Sequence, residues 1–400
     1  MLLLPSTRST STVVFAPNLR TGYVQHYSLT IQRELLRNTV MEVGYVGTRG
    51  TKMFMDLNLN QARIYPDFLA AFRELQAFRA SGAPLSPGNT LVRIFGSASA
   101  AISSLGASII DQGAVGSAAD SMDRTNYTRY AAAGVSDFYL RNCPQFNQVI
   151  LGTNAGRSYY NSFQLSLRRD AGALRLNANY TFSKSMDNIS VDGNSFTSPI
   201  DNYNLALNRG RGDYDRPHVF NSALVYTLPI GKHRGLGGNL SGWAGSLIGG
   251  WDVGLTTIWQ SGGVVTYSSG RATGPANLGT WANYTGDRNI GAVLRKGDGV
   301  YWLTPEQTSS FSFPAAGQIG SGGRNAFRGP RFFNMDASLM KAFRITERRA
   351  IRFRAEAHNL FNNPNFGSLG TSLVTPASFG KLGATISNAR IMQLALRYDF

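Results

Sequence analysis

The chain is patterned by alternation of apolar and polar side chains, which marks strands with two unlike faces. At the carboxyl end Met392, Leu394, Leu396, Tyr398 and Phe400 fall on one face, and Gln393, Ala395, Arg397 and Asp399 on the other. Residues 351–358 repeat the pattern, with Ile351, Phe353, Ala355 and Ala357 set against Arg352, Arg354, Glu356 and His358. Phe163, Leu165 and Leu167 alternate with Gln164, Ser166 and Arg168. After a short turn, Leu174, Leu176, Ala178, Tyr180 and Phe182 alternate with Arg175, Asn177, Asn179 and Thr181, which predicts a hairpin. Further strands are predicted over 23–33, 39–47, 217–228, 247–260 and 332–343. In one of them Trp251, Val253, Leu255, Thr257 and Trp259 share a face that is aromatic at both ends.

The links between these strands fall into two classes. Short ones (34–38, 170–173, 344–350) and an intermediate one (229–246) alternate with long ones (48–156, 184–216, 261–331, 360–388). The long links are rich in Gly, Asn, Ser and Asp, as loops should be. The longest holds one helical stretch, where Phe68, Leu69, Phe72, Leu75 and Phe78 recur at three- and four-residue spacing. Long two-faced strands with alternating short and long connections predict an all-β, antiparallel transmembrane barrel with short periplasmic turns and long extracellular loops. A soluble β-sandwich would use similar alternation on shorter strands, with no rule placing every long loop on one side.

The expected strands number nine, whereas single-chain bacterial barrels have an even number. Counted back from a periplasmic carboxyl terminus, the first strand runs inward from outside. Either one further strand exists or the chain is the later portion of a larger barrel, which would have two open edges and an open or partly curled sheet.

Composition fits this picture. Glycine occurs 44 times, and charged residues make up 16% of the 400 positions against ~25% in ordinary domains. With 23 Phe, 17 Tyr and 5 Trp, disorder is excluded. The single cysteine, Cys143, excludes a disulfide scaffold. No run of ~18 apolar residues exists, so no transmembrane helix is predicted. Met1-Leu2-Leu3-Leu4-Pro5 does not supply the basic start and apolar centre of an export signal, which agrees with an expected truncation.

The net charge of +16 comes from dispersed arginines, with only six lysines, so no nucleic-acid partner is expected. An arginine on the lipid side costs ~2–4 kcal/mol at mid-membrane. Arg168, Arg175, Arg352, Arg354 and Arg397, with Glu356 and His358, are therefore expected to face the lumen. There they could pair with carboxylates or attract anionic solutes. Met392, Leu394, Leu396, Tyr398 and Phe400 are expected to face lipid.

No catalytic set, cofactor site or metal site emerges, and no enzyme is predicted. His26, His218, His233 and His358 lack the His-Glu-x-x-His spacing, and no second cysteine completes a Cys/His site. No serine stands in a Gly-x-Ser-x-Gly elbow, and Gly320-Ser321-Gly322-Gly323 lacks a phosphate-loop lysine. Glu356 and His358 are expected to form a luminal hydrogen-bonding pair. Asp187, Asp192, Gly193 and Asn194 faintly resemble a calcium loop, without its final glutamate. Asp201, Asp213 and Asp215 would hold a cation or simply keep a loop hydrated. Arg211-Gly212-Asp213 matches an adhesion tripeptide.

Several runs resemble a known family. Phe353-Arg-Ala-Glu-Ala-His-Asn-Leu-Phe-Asn-Asn-Pro-Asn-Phe-Gly367 is similar to a recurrent signature of the Oar-like TonB-dependent receptors. So are Cys143-Pro-Gln-Phe-Asn-Gln-Val-Ile-Leu-Gly152, Tyr160-Asn-Ser-Phe-Gln-Leu165, Asn179-Tyr-Thr-Phe-Ser-Lys-Ser185 and Arg211-Gly-Asp-Tyr-Asp-Arg-Pro-His218. The terminal 394–400 resembles the aromatic-ended signal read by the barrel-assembly machinery. The matches span roughly residues 20–400 in order.

The resemblance implies a barrel of about 22 strands around a plug, of which about thirteen strands would lie outside this chain. It also implies uptake of a bulky nutrient, driven through TonB, at the cell outer membrane. In that reading residues 1–400 are a partial barrel domain, 48–156 is a long extracellular loop with some helix, and Arg211-Gly212-Asp213 needs no adhesion role. The plug, the TonB contact and the amino-terminal carboxypeptidase-regulatory-like domain would be absent, and the chain alone would not transport. Its partners would be outer-membrane lipid and the assembly machinery. The alternative is an outer-membrane binding or adhesion protein that displays large loops without transport.

Overall fold

The computed structural model describes residues 8–190, 199–230, 245, 247–275 and 278–400. Nine long strands stand out among them: β1 (Tyr23–Leu36), β2 (Thr39–Asn58), β3 (Val149–Ala171), β4 (Leu174–Asp187), β5 (His218–Thr227), β6 (Trp251–Gln260), β7 (Phe332–Arg344), β8 (Ala350–His358) and β9 (Ile391–Asp399). They pair in chain order as one antiparallel meander, and β1 and β9 form its two unpaired edges. The sheet is open, as the strand count predicted.

Turn chemistry fixes the short connections. β1 and β2 are joined through Arg37 and Asn38, and Asn38 sits at φ 57, a left-handed conformation that Asn tolerates. The Asn38 N–H donates to Glu34 Oε1 at 2.9 Å. β3 and β4 are joined through Gly172 (φ 59) and Ala173. Residues 345–349 join β7 to β8 on the same end, which is here termed the turn end. All four long connections (59–148, 188–217, 261–331 and 359–390) leave the opposite, loop end.

β2 and β3 run well beyond the predicted spans, to 20 and 23 residues. Their outer halves carry the first long connection, which is helical. α1 (Pro66–Ser81) is the predicted helix: Pro and Asp67 occupy its first turn, and Gly82 ends it in the left-handed conformation. α2 (Thr90–Phe95), α3 (Ala98–Leu105), α4 (Ala107–Asp111) and α5 (Val115–Thr125) follow and were not predicted. Phe68, Phe72, Leu75, Leu91, Ile110 and Met122 build a core inside this excursion. A second core lies in the later loops, where the Tyr267 ring meets Phe311 at 4.6 Å and Phe327 at 5.0 Å.

Polar groups tie the excursion to the sheet. Asn60 is fully buried; its Nδ2 donates to the Cys143 and Phe146 carbonyls at 3.0 and 2.6 Å, and its Oδ1 accepts from the Cys143 N–H at 2.9 Å. One amide thus joins both feet of the excursion. The strand Thr12–Phe15 pairs in parallel with the start of β3, and Arg8, just before it, is buried among the helices. There Arg8 Nη1 meets Asp123 at 2.6 Å and Nη2 meets Asp137 at 3.1 Å, with the guanidinium 4.1 Å from the Tyr127 ring centre. Arg141 pairs with both Asp120 and Asp123.

Burial pushes the Asp123 carboxyl up to about 6, against the pull of Arg8 and Arg141. Desolvation is therefore the larger cost, and the cluster holds only while its members remain matched. Arg141→Ala should destabilise the excursion by about 1.5–3 kcal/mol, the loss of charge-assisted bonds to Asp120 and Asp123, which keep Arg124 and Arg8 as partners. Limited proteolysis should then cut first within 59–148; equal resistance of variant and parent would contradict this account.

Candidate functional site

The cross-strand register sorts the nine strands into two continuous faces. One row reads Val43, Leu165, Tyr180, Phe220, Trp259 and Phe333 from β2 to β7. Another reads Leu176, Leu224, Leu255, Ala337, Ala357 and Met392 from β4 to β9. These rows carry one apolar face across the sheet. Much of it is uncovered: Leu29 is 66% exposed, Leu394 and Leu396 are each 72%, and Phe400 is 93%.

Aromatic rings gather at both ends of this face. Tyr27, Tyr45, Phe163, Phe182, Phe220, Trp259 and Phe333 lie toward the loop end. Tyr27 covers Gly47, where an added Cβ would meet its ring at 2.0 Å. Trp251, Phe343, Phe353 and Tyr398 lie toward the turn end, with Trp251 edge-on to Phe343 and Phe353. Trp251 and Trp259 stand eight residues apart on β6, about 26 Å along the strand at ~3.3 Å per residue. Allowing for a ~40° tilt, the girdles are about 20 Å apart, near the ~25 Å apolar band of outer-membrane barrels.

Lys341 interrupts the apolar face at the turn end, opposite Trp251 and Phe353. Its ammonium reaches the Leu247 carbonyl at 2.7 Å and also the Gly249 carbonyl, and it lies near the Trp251 and Phe343 rings. The stem packs among rings while the charge finds backbone oxygens, so the cation is satisfied without solvent.

The opposite face is polar and cross-linked. Arg352 and Arg397 stand directly opposite, a repulsive pairing, and Asp399 bridges them at 2.5 and 2.8 Å. Arg354 pairs with Glu356 at 2.5 Å, and Arg175 with Asp170 at 3.4 Å across the hairpin. Asn179 donates to Asn177 and Asn221 at 3.1 Å each. Arg168 lies on this face opposite Asn177.

At the loop end, Arg324, Asn325 and Arg328 clamp the segment 211–216. Arg324 meets Asp187 at 2.7 Å and Asp213 at 3.2 Å, Arg328 pairs with Asp215, and Asn325 Nδ2 donates to the Arg211 carbonyl at 2.8 Å. The Asp215 carboxylate also accepts from the Ser185 N–H at 2.6 Å, tying the clamp to β4.

A two-faced antiparallel sheet with paired aromatic girdles is the geometry of an outer-membrane barrel wall. The sequence matches the outer membrane beta barrel domain family over residues 3–393. The chain belongs to that family. No curated protein matches it. Among solved structures it is similar to the outer membrane transporter YddB from Escherichia coli, at 10% identity and TM-score 0.42, over 98% of this chain and 34% of that one. It is also similar to FpvA of P. aeruginosa, bound to heterologous pyoverdines, at 9% identity and TM-score 0.35, over 96% of this chain and 28% of that one. The siderophore receptor PirA from Acinetobacter baumannii is similar at 10% identity and TM-score 0.36, over 95% of this chain and 32% of that one. The chain thus spans about a third of the length of these proteins.

Within this family member, the structure puts Arg168, Arg175, Arg352, Arg354, Glu356, His358 and Arg397 on one face and Met392, Leu394, Leu396 and Tyr398 on the other. Phe400 follows the last strand residue, and its ring stacks on Tyr398 at 5.9 Å. One expectation needs correction. Glu356 does not pair with His358: it pairs with Arg354, and His358 Nδ1 meets Asp336 at 3.4 Å, because cross-strand neighbours and a cation lie closer. At Asp201, Asp213 and Asp215, arginines pair with two of the carboxylates, and Asp201 accepts from Gln61 at 3.0 Å. No group of three His, Cys, Asp or Glu that could hold a metal occurs among the described residues. Asp192, Gly193 and Asn194 lie outside the described residues.

The sequence reading missed Lys341, His218 and the Arg324–Arg328 clamp. His218 lies on the apolar face opposite Phe182, and its Nδ1 is 2.7 Å from the Tyr180 hydroxyl. Alternation within 217–228 marks that position, but the clamp joins segments more than 100 residues apart and leaves no local signal.

Phe353→Arg should block stable membrane insertion, whereas Arg352→Ala, on the other face, should not. Heat-modifiable gel mobility checks this, and equal behaviour of the two variants would refute the face assignment. Arg324→Ala should leave the sheet intact and speed amide exchange over 210–216 by about tenfold or more, the loss of charge-assisted bonds worth ~1.5–3 kcal/mol each.

Proposed function

We propose that the chain is the carboxy-terminal part of the barrel of an Oar-like TonB-dependent outer-membrane receptor for a bulky nutrient. One observation carries this reading: nine antiparallel strands share one apolar face, yet both edge strands are unpaired. In lipid each unpaired backbone group costs several kcal/mol, so such a sheet needs further strands to close. A family barrel of about 22 strands would supply about thirteen more.

In this assignment the apolar face meets lipid and the polar face lines the lumen. The turn end is periplasmic, and the four long connections are extracellular. Arg168, Arg175, Arg352, Arg354 and Arg397 would border the plug, their charge partly balanced by neighbouring carboxylates. Tyr398 and Phe400, at the end of an edge strand, would present the signal that the assembly machinery reads. Energy coupling belongs to a plug and a TonB contact, so residues 1–400 alone would not transport.

With an export signal attached, the chain should fractionate with outer membranes, and deletion of Phe400 should lower the inserted amount several-fold. A freely soluble monomer would refute the membrane assignment. Nutrient uptake by this chain in cells lacking related receptors would refute its dependence on further parts.

A further inference from the structure

Where the helical excursion meets the loop after β4, the protein forms a half-open cavity of about 220 Å³. Its wall carries the amides of Asn58, Asn147, Gln148 and Asn202, with Asp120 and Arg124 among the charged groups. Small-molecule sites are usually apolar with a few polar groups and measure ~300–1,000 Å³. This one is smaller and mostly polar, so it suits a compact ligand that brings its own hydrogen-bonding groups.

The cavity is preformed. The Asn58 N–H donates to Asn202 Oδ1 at 2.7 Å, and Asn202 Nδ2 donates to Gln61 Oε1 at 2.6 Å, which ties two connections 144 residues apart. Asp120 is held by Arg124 at 2.9 Å and by Arg141. Arg141 also meets Asp123 at 3.0 Å, so two guanidiniums and two carboxylates match one another and leave no net charge to recruit an ion. A neutral ligand remains. The side-chain amides of half-buried Asn147 and exposed Gln148 have no protein hydrogen-bond partner among the described residues, so both are open to a ligand in place of water. Each offers donors and an acceptor together, the match for a hydroxyl, which both donates and accepts.

We propose that this cavity binds a neutral polyhydroxylated ligand, a single terminal sugar residue of a glycan. Its volume admits one ring and leaves the rest of the glycan outside. The site stands apart from the transport reading, because sugar binding at the loop end requires neither membrane insertion nor TonB.

The test is saturation-transfer NMR and titration of the full chain in detergent micelles. Maltose, cellobiose and lactose serve as probes, with glycylglycine and inorganic phosphate representing zwitterions and anions. At least one disaccharide should bind. The double variant Asn147→Ala/Gln148→Ala should weaken it by about tenfold, the loss of two neutral hydrogen bonds, with an unchanged circular dichroism spectrum. The proposal is overturned if no disaccharide binds, if glycylglycine or phosphate binds in their place, or if the double variant binds equally well.

Discussion

The constraint that governs this protein is backbone hydrogen bonding where water is scarce. A strand facing lipid can satisfy its N–H and C=O groups only through neighbouring strands, so the register that pairs the backbone also decides the position of every side chain. That coupling is visible across all nine strands. Tyr45 pairs with Phe163 and Phe163 with Phe182, while one position away Gly44 pairs with Gln164 and Gln164 with Thr181. A one-residue slip between any two strands would carry charges such as Arg352 and Arg354 into the apolar face.

The sheet itself has almost no interior. Its largest buried side chains belong to the loop-end connections, where two separate cores form, one among helices and one from aromatic rings of distant loops. Between those cores and the strands lie ionic and amide contacts: Arg8 with Asp123, Asn60 with both feet of the excursion, and Arg324 with Asp187 and Asp213. The division follows from the solvents involved. Apolar side chains on the wall are stable without a protein core if lipid covers them, whereas connections in water must build cores of their own.

The strands were legible because alternation is a local property with a period of two. The polar rows through Arg168, Arg175 and Arg352 followed from the same arithmetic. Legibility failed where the period breaks. In β2 the register shifts between Gly50 and Met53 and again before Met55, with Lys52 at φ 54, so alternation stops while the strand continues. The helices α2 to α5 are short, and their stability comes from tertiary contacts more than from propensity. The pairing of His358 with Asp336 depends on which strand lies beside β8, which a single-strand pattern does not state.

The amide of Asn60 has a consequence for how such a molecule changes over generations. Because one side chain joins the outgoing and returning chain at the foot of a connection of about ninety residues, the connection behaves as a cassette. Its helices can lengthen, shorten or change their surface while the foot holds the registry of β2 on β3. The excursion can thereby vary without displacing the wall beneath it.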